Sequence, residues 1–164
     1  MDYKEIMQKL GRINLLHRLY FYRVSVNKNI YMGQLPIIMY VIDHDGCTQK
    51  DMVDEFLISA PSIATSIKRL QKAGYITRKT DKTDSRLNRL SATDKAHKLS
   101  GEMKKEFDRV DNLSFSNFSE QESCELDRLI TKMLDALNTD EFRNKDIHEL
   151  VKEEKLFHEE AVND

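Results

Sequence analysis

The chain has 164 residues, 33% of them charged and 40% hydrophobic, and a formal charge of −2. That length suits one domain, or one domain with an added arm. No apolar run is long enough to cross a bilayer, no signal-peptide pattern opens the chain, and Cys47 and Cys124 lack CxxC spacing, so a reduced cytoplasmic protein is the simplest expectation.

Residues 3–30 predict a long helix. Ile6, Leu10, Ile13, Leu16, Tyr20 and Val24 recur at helical spacing, and Leu15, Leu19, Tyr22 and Val26 add a second stripe. A helix apolar on several sides needs more than one neighbour. Residues 35–43, LPIIMYVID, predict a compact apolar helix with Pro36 in its first turn, broken by Asp43–Gly46.

Residues 47–91 predict two short helices joined by a tight turn, then a basic β-hairpin. Thr48 is placed to cap the first helix with Asp51 three residues on, and Met52, Val53, Phe56 and Leu57 follow as its apolar stripe. Ser59 is placed to cap the second, and Pro61 is tolerated in its first turn. Ile63, Ile67 and Leu70 make the inner stripe of that helix, and Gly74 supplies a left-handed stop. Its outer face carries Pro61, Ser62, Thr65, Lys68, Arg69 and Lys72. Hydroxyls and Arg suit base edges, and Lys and Arg near the helix end suit phosphates. The same face would also serve as an ordinary solvated surface. Tyr75–Lys79 is β-prone, Asp81–Arg86 is a charged turn, and Arg86–Ser91 alternates, which places Lys79, Lys82 and Arg86 near the tip of a hairpin wing. Together these elements predict a mainly α fold with a small β-hairpin wing, a winged helix-turn-helix that reads double-stranded DNA.

Charge is uneven along the chain. Residues 47–91 hold nine Lys/Arg against five Asp/Glu, and residues 92–164 hold eleven against nineteen. The basic stretch is the wing-bearing one, as a phosphate-facing surface requires.

After the hairpin a helix restarts at 91–94 and runs to about Leu113, with Ala96, Leu99, Met103, Phe107 and Val110 on one face. Ser114–Phe118 is a break. Ser119 to Glu122 forms a capping box ahead of Leu126, Leu129, Ile130, Met133, Leu134 and Leu137. Apolar stripes on three helices are hard to bury within one small protomer, so a homodimer is expected. Residues 138–164 are strongly acidic. Asp146 and Glu149 are placed to open a short helix with Ile147, Leu150, Val151 and Phe157. This segment either docks on a partner's helices through 141–157 or frays.

The run from Leu70 to Ala96 resembles the core signature of the MarR family of transcriptional regulators. The matching residues are Leu70, Gly74, Ile76, Arg78, Asp81, Asp84, Arg86, Leu90, Thr93 and Ala96. The resemblance covers about 1–137 and implies one unit, with N- and C-terminal dimerisation helices at 3–30 and 93–137 around a DNA-binding lobe at 33–91. It implies that Asp84 shapes the wing and that Arg86 enters the minor groove. It further implies a homodimer on a pseudo-palindromic operator, acting as a repressor released by a small-molecule effector. Tyr20, Met39 and Tyr40, with Phe21, Tyr22, Tyr31 and Met32, are candidates to line the effector cavity. Plain core packing accounts for the same residues.

Catalytic chemistry is absent from the motifs: no P-loop, GxSxG, HExxH or dinucleotide fingerprint occurs. His17, His44, His97, His148 and His158 form no ligand-spaced pair, so no metal or other cofactor is expected, although His44 beside Asp43 and Asp45, with His97, would be the place to look. Cys47 precedes a helix N-terminus, which can lower a thiol pKa, but a small packed residue is the better expectation there. The alternative to a DNA reader is a non-enzymatic helical dimeric adaptor, which has no need of a basic wing.

Overall fold

The computed structural model describes residues 2–28 and 30–163, apart from the side chains of Asn27, Met32 and residues 158–163. The described residues form seven α-helices and one antiparallel hairpin. They divide into two compact units, 1–113 and 114–164. This cuts the chain at a different place from the functional division at residue 137 drawn above.

In the first unit, α1 (Tyr3–Asn27) is capped by the Asp2 side chain on the Lys4 N–H. It stops short of residue 30. The Ser25 carbonyl accepts from the N–H groups of Lys28 and Ile30, which turns the chain, and a 3₁₀ turn, Met32–Gln34, follows. Helix α2 (Leu35–Asp43) has the expected bounds, and its Leu35, Ile37, Ile38 and Val41 are buried. Helix α3 (Gln49–Phe56) opens on a full Thr48–Asp51 capping box. Leu57, expected on the helical stripe, instead takes a left-handed conformation (φ 49°) and makes the turn. Helix α4 (Ala60–Lys72) presses Ile63, Ile67 and Leu70 into the core.

The hairpin pairs β1 (Ile76–Thr80) with β2 (Asn88–Ala92), Arg78 opposite Leu90. The second strand therefore starts two residues later than Arg86, which leaves Arg86 and Leu87 in the tip. A one-residue bridge between Cys47 and Leu90 adds a third rung. Helix α5 (Asp94–Ser114) closes the unit and buries Ala96, Leu99, Met103 and Val110. Phe21 of α1 packs on Phe107 of α5 with ring centroids 3.9 Å apart, and Lys28 pairs with Glu102 at 2.6 Å. Along α1, however, Ile6, Ile13, Leu15, Leu16, Leu19, Tyr22 and Val26 remain exposed.

In the second unit, α6 (Glu120–Leu137) opens on the expected Ser119–Glu122 capping box. It buries no residue within the chain, and Leu134 and Leu137 are 61% and 69% exposed. Helix α7 (Ile147–Asn163) is longer than the short helix expected, because favourable helix formers continue past Phe157. Asp146 and Glu149 cap it reciprocally: the Asp146 carboxylate accepts from the N–H groups of His148 and Glu149, and Glu149 accepts from the Asp146 N–H.

Candidate nucleic-acid interface

The interface starts with why α4 stands where it does. Leu57 and Ser59 turn the chain sharply after α3. The Ser59 carbonyl accepts from the N–H groups of Ser62 and Ile63, starting the helix. The Ser59 side chain was expected to cap α4, but it donates to the Ser62 hydroxyl at 2.9 Å. Pro61 at the second helical position leaves no N–H there to cap. With Ile63, Ile67 and Leu70 buried, the helical period forces Pro61, Ser62, Thr65, Lys68, Arg69 and Lys72 outward, and all six are exposed. The C-terminal end is fixed by Gly74 (φ 78°) and by a hydrogen bond from the Tyr75 N–H to the Leu70 carbonyl.

The wing is organised by two carboxylates. Asp84 Oδ1 accepts from the Arg86 N–H at 3.0 Å and from Arg86 Nε at 3.2 Å. Asp81 does more. Its Oδ1 accepts from the Thr83 N–H (2.7 Å), the Thr83 hydroxyl (2.6 Å) and the Asp84 N–H (3.0 Å), while Oδ2 accepts from Arg89 Nε at 2.8 Å. The Thr83 hydroxyl, then Arg89, then the turn N–H groups hold the Asp81 carboxyl far below the usual carboxylate range. Arg89 also donates to the Gly46 carbonyl at 3.2 Å, which ties the wing to the turn after α2. Sequence reasoning assigned Arg89 no role. Its signal was an acid and a base eight residues apart, bracketing a polar turn. On a hairpin that places them diagonally across the strands. Lys79, Lys82 and Arg86 are exposed around this fixed tip, and the Arg86 side chain is 89% exposed.

The model of the MarR family matches residues 30–87. A regulator from Clostridioides difficile (strain CD3), named HTH-type transcriptional regulator BilQ, is 31% identical over 112 residues, covering 68% of this chain and 66% of that protein, just under two thirds. Over its helix-turn-helix and wing the chain is similar to the MarR family of transcriptional regulators. Among solved structures, a mutant of Staphylococcus aureus MepR bound to an oligodeoxyribonucleotide is 22% identical with a TM-score of 0.70, over 84% of this chain and 99% of that one. The S. aureus MepR–DNA complex is 23% identical with a TM-score of 0.65, over 82% and 96%. At those identities the likeness is one of fold.

Tyr40 stacks on His44 at 4.2 Å and meets the edge of Phe56 at 5.6 Å. Tyr20 lies under the guanidinium of Arg109 at 5.3 Å, and Met39 is half-buried. Tyr20 and Tyr40 thus have separate neighbours. Tyr31 lies beside α4. The side chains of Met32 and His158 fall outside the described residues. The Nδ1 of His44 lies 3.1 Å from the Tyr40 carbonyl, and among the described residues no three His, Cys, Asp or Glu side chains converge as metal ligands would. Cys47 is buried, and that burial, reinforced by Asp51, pushes its thiol up to about 11. The helix N-terminus next to it does not produce a thiolate.

Proposed function

We propose that this chain is a sequence-specific repressor that binds a pseudo-palindromic operator as a homodimer and releases it when a small molecule binds. The observation that carries the DNA reading is the pairing of two surfaces. The outer face of α4 is wholly exposed and rich in hydroxyls and cations, and beside it stands a wing whose tip is held by buttressed carboxylates and ends in an exposed Arg. An adaptor has no use for that pairing, and the DNA-bound MepR structures of similar fold support the same reading. In it, residues Pro61, Ser62, Thr65, Lys68, Arg69 and Lys72 enter the major groove, Lys79 and Lys82 meet phosphates, and Arg86 enters the minor groove under the control of Asp84.

The dimer is supported by the apolar side chains left exposed along α1 and α6. Residues 3–30 and 93–137 supply its dimerisation segments, 33–91 is the DNA-binding lobe, and 141–157 docks on the partner. The chain is non-enzymatic and works in the cytoplasm. No described helix is long and apolar enough to cross a membrane. The effector cavity is assigned to the region of Tyr20, Met39 and Tyr40.

Selection of bound fragments from genomic DNA tests the whole reading. The expected product is a site with two inverted half-sites, centres about 10 base pairs or a multiple apart. Inserting half a turn between them should strongly weaken binding. Recovery of no enriched sequence would overturn the DNA reading, and half-sites bound independently of spacing would overturn the dimeric one.

A further inference from the structure

A groove of about 470 Å³ runs beside the first turns of α4. One wall is Pro61, Ser62, Thr65 and Arg69, the face assigned above to DNA. The other is Tyr31 with Gln34, from the link between α1 and α2, some thirty residues earlier in the chain. No described residue lining the groove is acidic; Arg69 and the hydroxyls of Ser62, Ser66 and Tyr31 can donate into it, while the Thr65 hydroxyl donates to the Pro61 carbonyl at 2.9 Å. Such a lining is complementary to phosphate oxygens.

Tyr31 is 72% exposed, yet its position is defined. Its N–H donates to Gln34 Oε1 at 3.3 Å, and its carbonyl accepts from the Gln34 N–H at 2.8 Å, with Gln34 itself buried. Its ring lies against Gly33 so closely that a Cβ there would come within 3.3 Å of Cε1 and 3.4 Å of Cδ1. Gly33 thus leaves the space in which the ring sits. An aromatic side chain held out in solvent, over a residue that leaves it room, and continuous with the reading face of α4, is placed as a contact residue.

We propose that Tyr31 is a DNA-contacting residue, its hydroxyl donating to a backbone phosphate of the strand that lies in this groove, with Arg69 opposite it. The inference rests on the DNA-binding reading above and extends the interface to a third segment, the α1–α2 link. A phenol carries no charge, so Tyr31 contributes position and one hydrogen bond and releases no counterion.

The test uses the full chain and an operator half-site pair selected as above. Tyr31→Phe removes only the hydroxyl and keeps the ring on Gly33. It is expected to weaken binding about tenfold for each subunit engaged, as loss of a hydrogen bond to a charged acceptor does. The dependence of affinity on salt should stay parallel to the parent's. Arg69→Ala, by contrast, should flatten the salt slope by about one unit per subunit. Operators carrying single methylphosphonate substitutions then locate the contact. At one position per half-site the neutralised phosphate should cost the parent affinity, and the loss from Tyr31→Phe should vanish there. Gly33→Ala, which presses a methyl on the ring, should mimic part of the loss. Parent-like affinity of Tyr31→Phe, or a loss that persists at every methylphosphonate position, overturns the proposal while leaving DNA binding intact. Failure of the parent itself to bind any selected DNA would instead overturn the reading on which it rests.

Discussion

Replacing Arg86 by Ala tests the wing most directly, and the structure says what should and should not change. Arg86 has an 89% exposed side chain whose Nε lies 3.2 Å from Asp84 Oδ1, so the core does not need it. An exposed pair of this kind contributes little to stability. The same carboxylate oxygen accepts from the Arg86 backbone N–H at 3.0 Å, and that bond survives the substitution. The tip should therefore keep its shape, and the thermal midpoint should move little. The DNA term is larger. Affinity falls with salt at a slope of about −0.9 per phosphate-type contact, so losing one cation from each of two subunits should flatten the slope by about 1.8 units. Over a fourfold rise in salt, from 50 to 200 mM, that corresponds to a change of roughly twelvefold. The variant's deficit should thus be about twelvefold larger at the low-salt end than at the high-salt end. Fluorescence anisotropy titrations of a labelled operator across that range measure it. Asp84→Ala should also weaken binding, through both hydrogen bonds it removes from the tip, but should flatten the slope less because the Arg86 charge remains. Lys82→Ala, on a mobile stem, should do less than either. Affinity of Arg86→Ala equal to the parent's throughout, or a uniform loss with unchanged slope, would refute the reasoning.

Arg89→Ala should release the wing from the Gly46 carbonyl and from Asp81, broadening the amide resonances of residues 80–88 and weakening DNA binding, with a salt slope close to the parent's because its charge is already engaged by Asp81. The Asp81 carboxyl lies far below its ordinary value, so its stabilising effect is complete above the unfolded value, about 3.9, and is lost only as pH falls through the lower folded value. Wing resonances should accordingly be unchanged from pH 7 down to pH 5, and loss of the wing in that interval would contradict the Asp81 anchor. With its thiol pushed up to about 11 and buried, Cys47 should resist iodoacetamide at pH 8 while exposed Cys124 reacts, as peptide mass spectrometry of the native protein would report. In sedimentation at micromolar concentration the chain should run as a dimer, and Leu134→Glu, at a position 61% exposed within the single chain, should shift it toward monomer. An unchanged dimer would move the interface away from α6.

The elements most legible in the sequence were those whose signals are local. Thr48 with Asp51 and Ser119 with Glu122 announce helix starts because a capping box is closed within four residues. Gly74 announces the end of α4 because a left-handed backbone is cheap only for such a residue. The outer face of α4 was readable from periodicity once Ile63, Ile67 and Leu70 were assigned inward. What the sequence hid depended on pairing at a distance. Leu57 has a side chain suited to the stripe of α3, and only the demand of the following turn makes it left-handed. The start of β2 at Asn88 depended on register, which left Leu87 out of the strand and kept Arg89 in it. Arg89 acquires its role from Gly46, forty-three residues away, and Tyr31 from Gly33 and α4. Neither relation has a signature along the chain.

The junction between the hairpin and α5 carries a mechanical consequence. The Thr93 hydroxyl donates to the Gly74 carbonyl at 2.8 Å and accepts from the Ala96 N–H at 3.3 Å. Lys95 Nζ donates to the Ala73 carbonyl at 2.7 Å and lies 4.3 Å from the Tyr75 ring centroid. The tail of α4 is therefore tied to the first turn of α5 by two side-chain hydrogen bonds, both donated from the α5 side. Rotation of the first turn of α5 would pull on the carbonyls of Ala73 and Gly74, so the end of α4 is expected to turn with it and to carry Ser62 and Thr65 along. Such a tie would convert a change of angle at one end of the unit into a change of reach at the other.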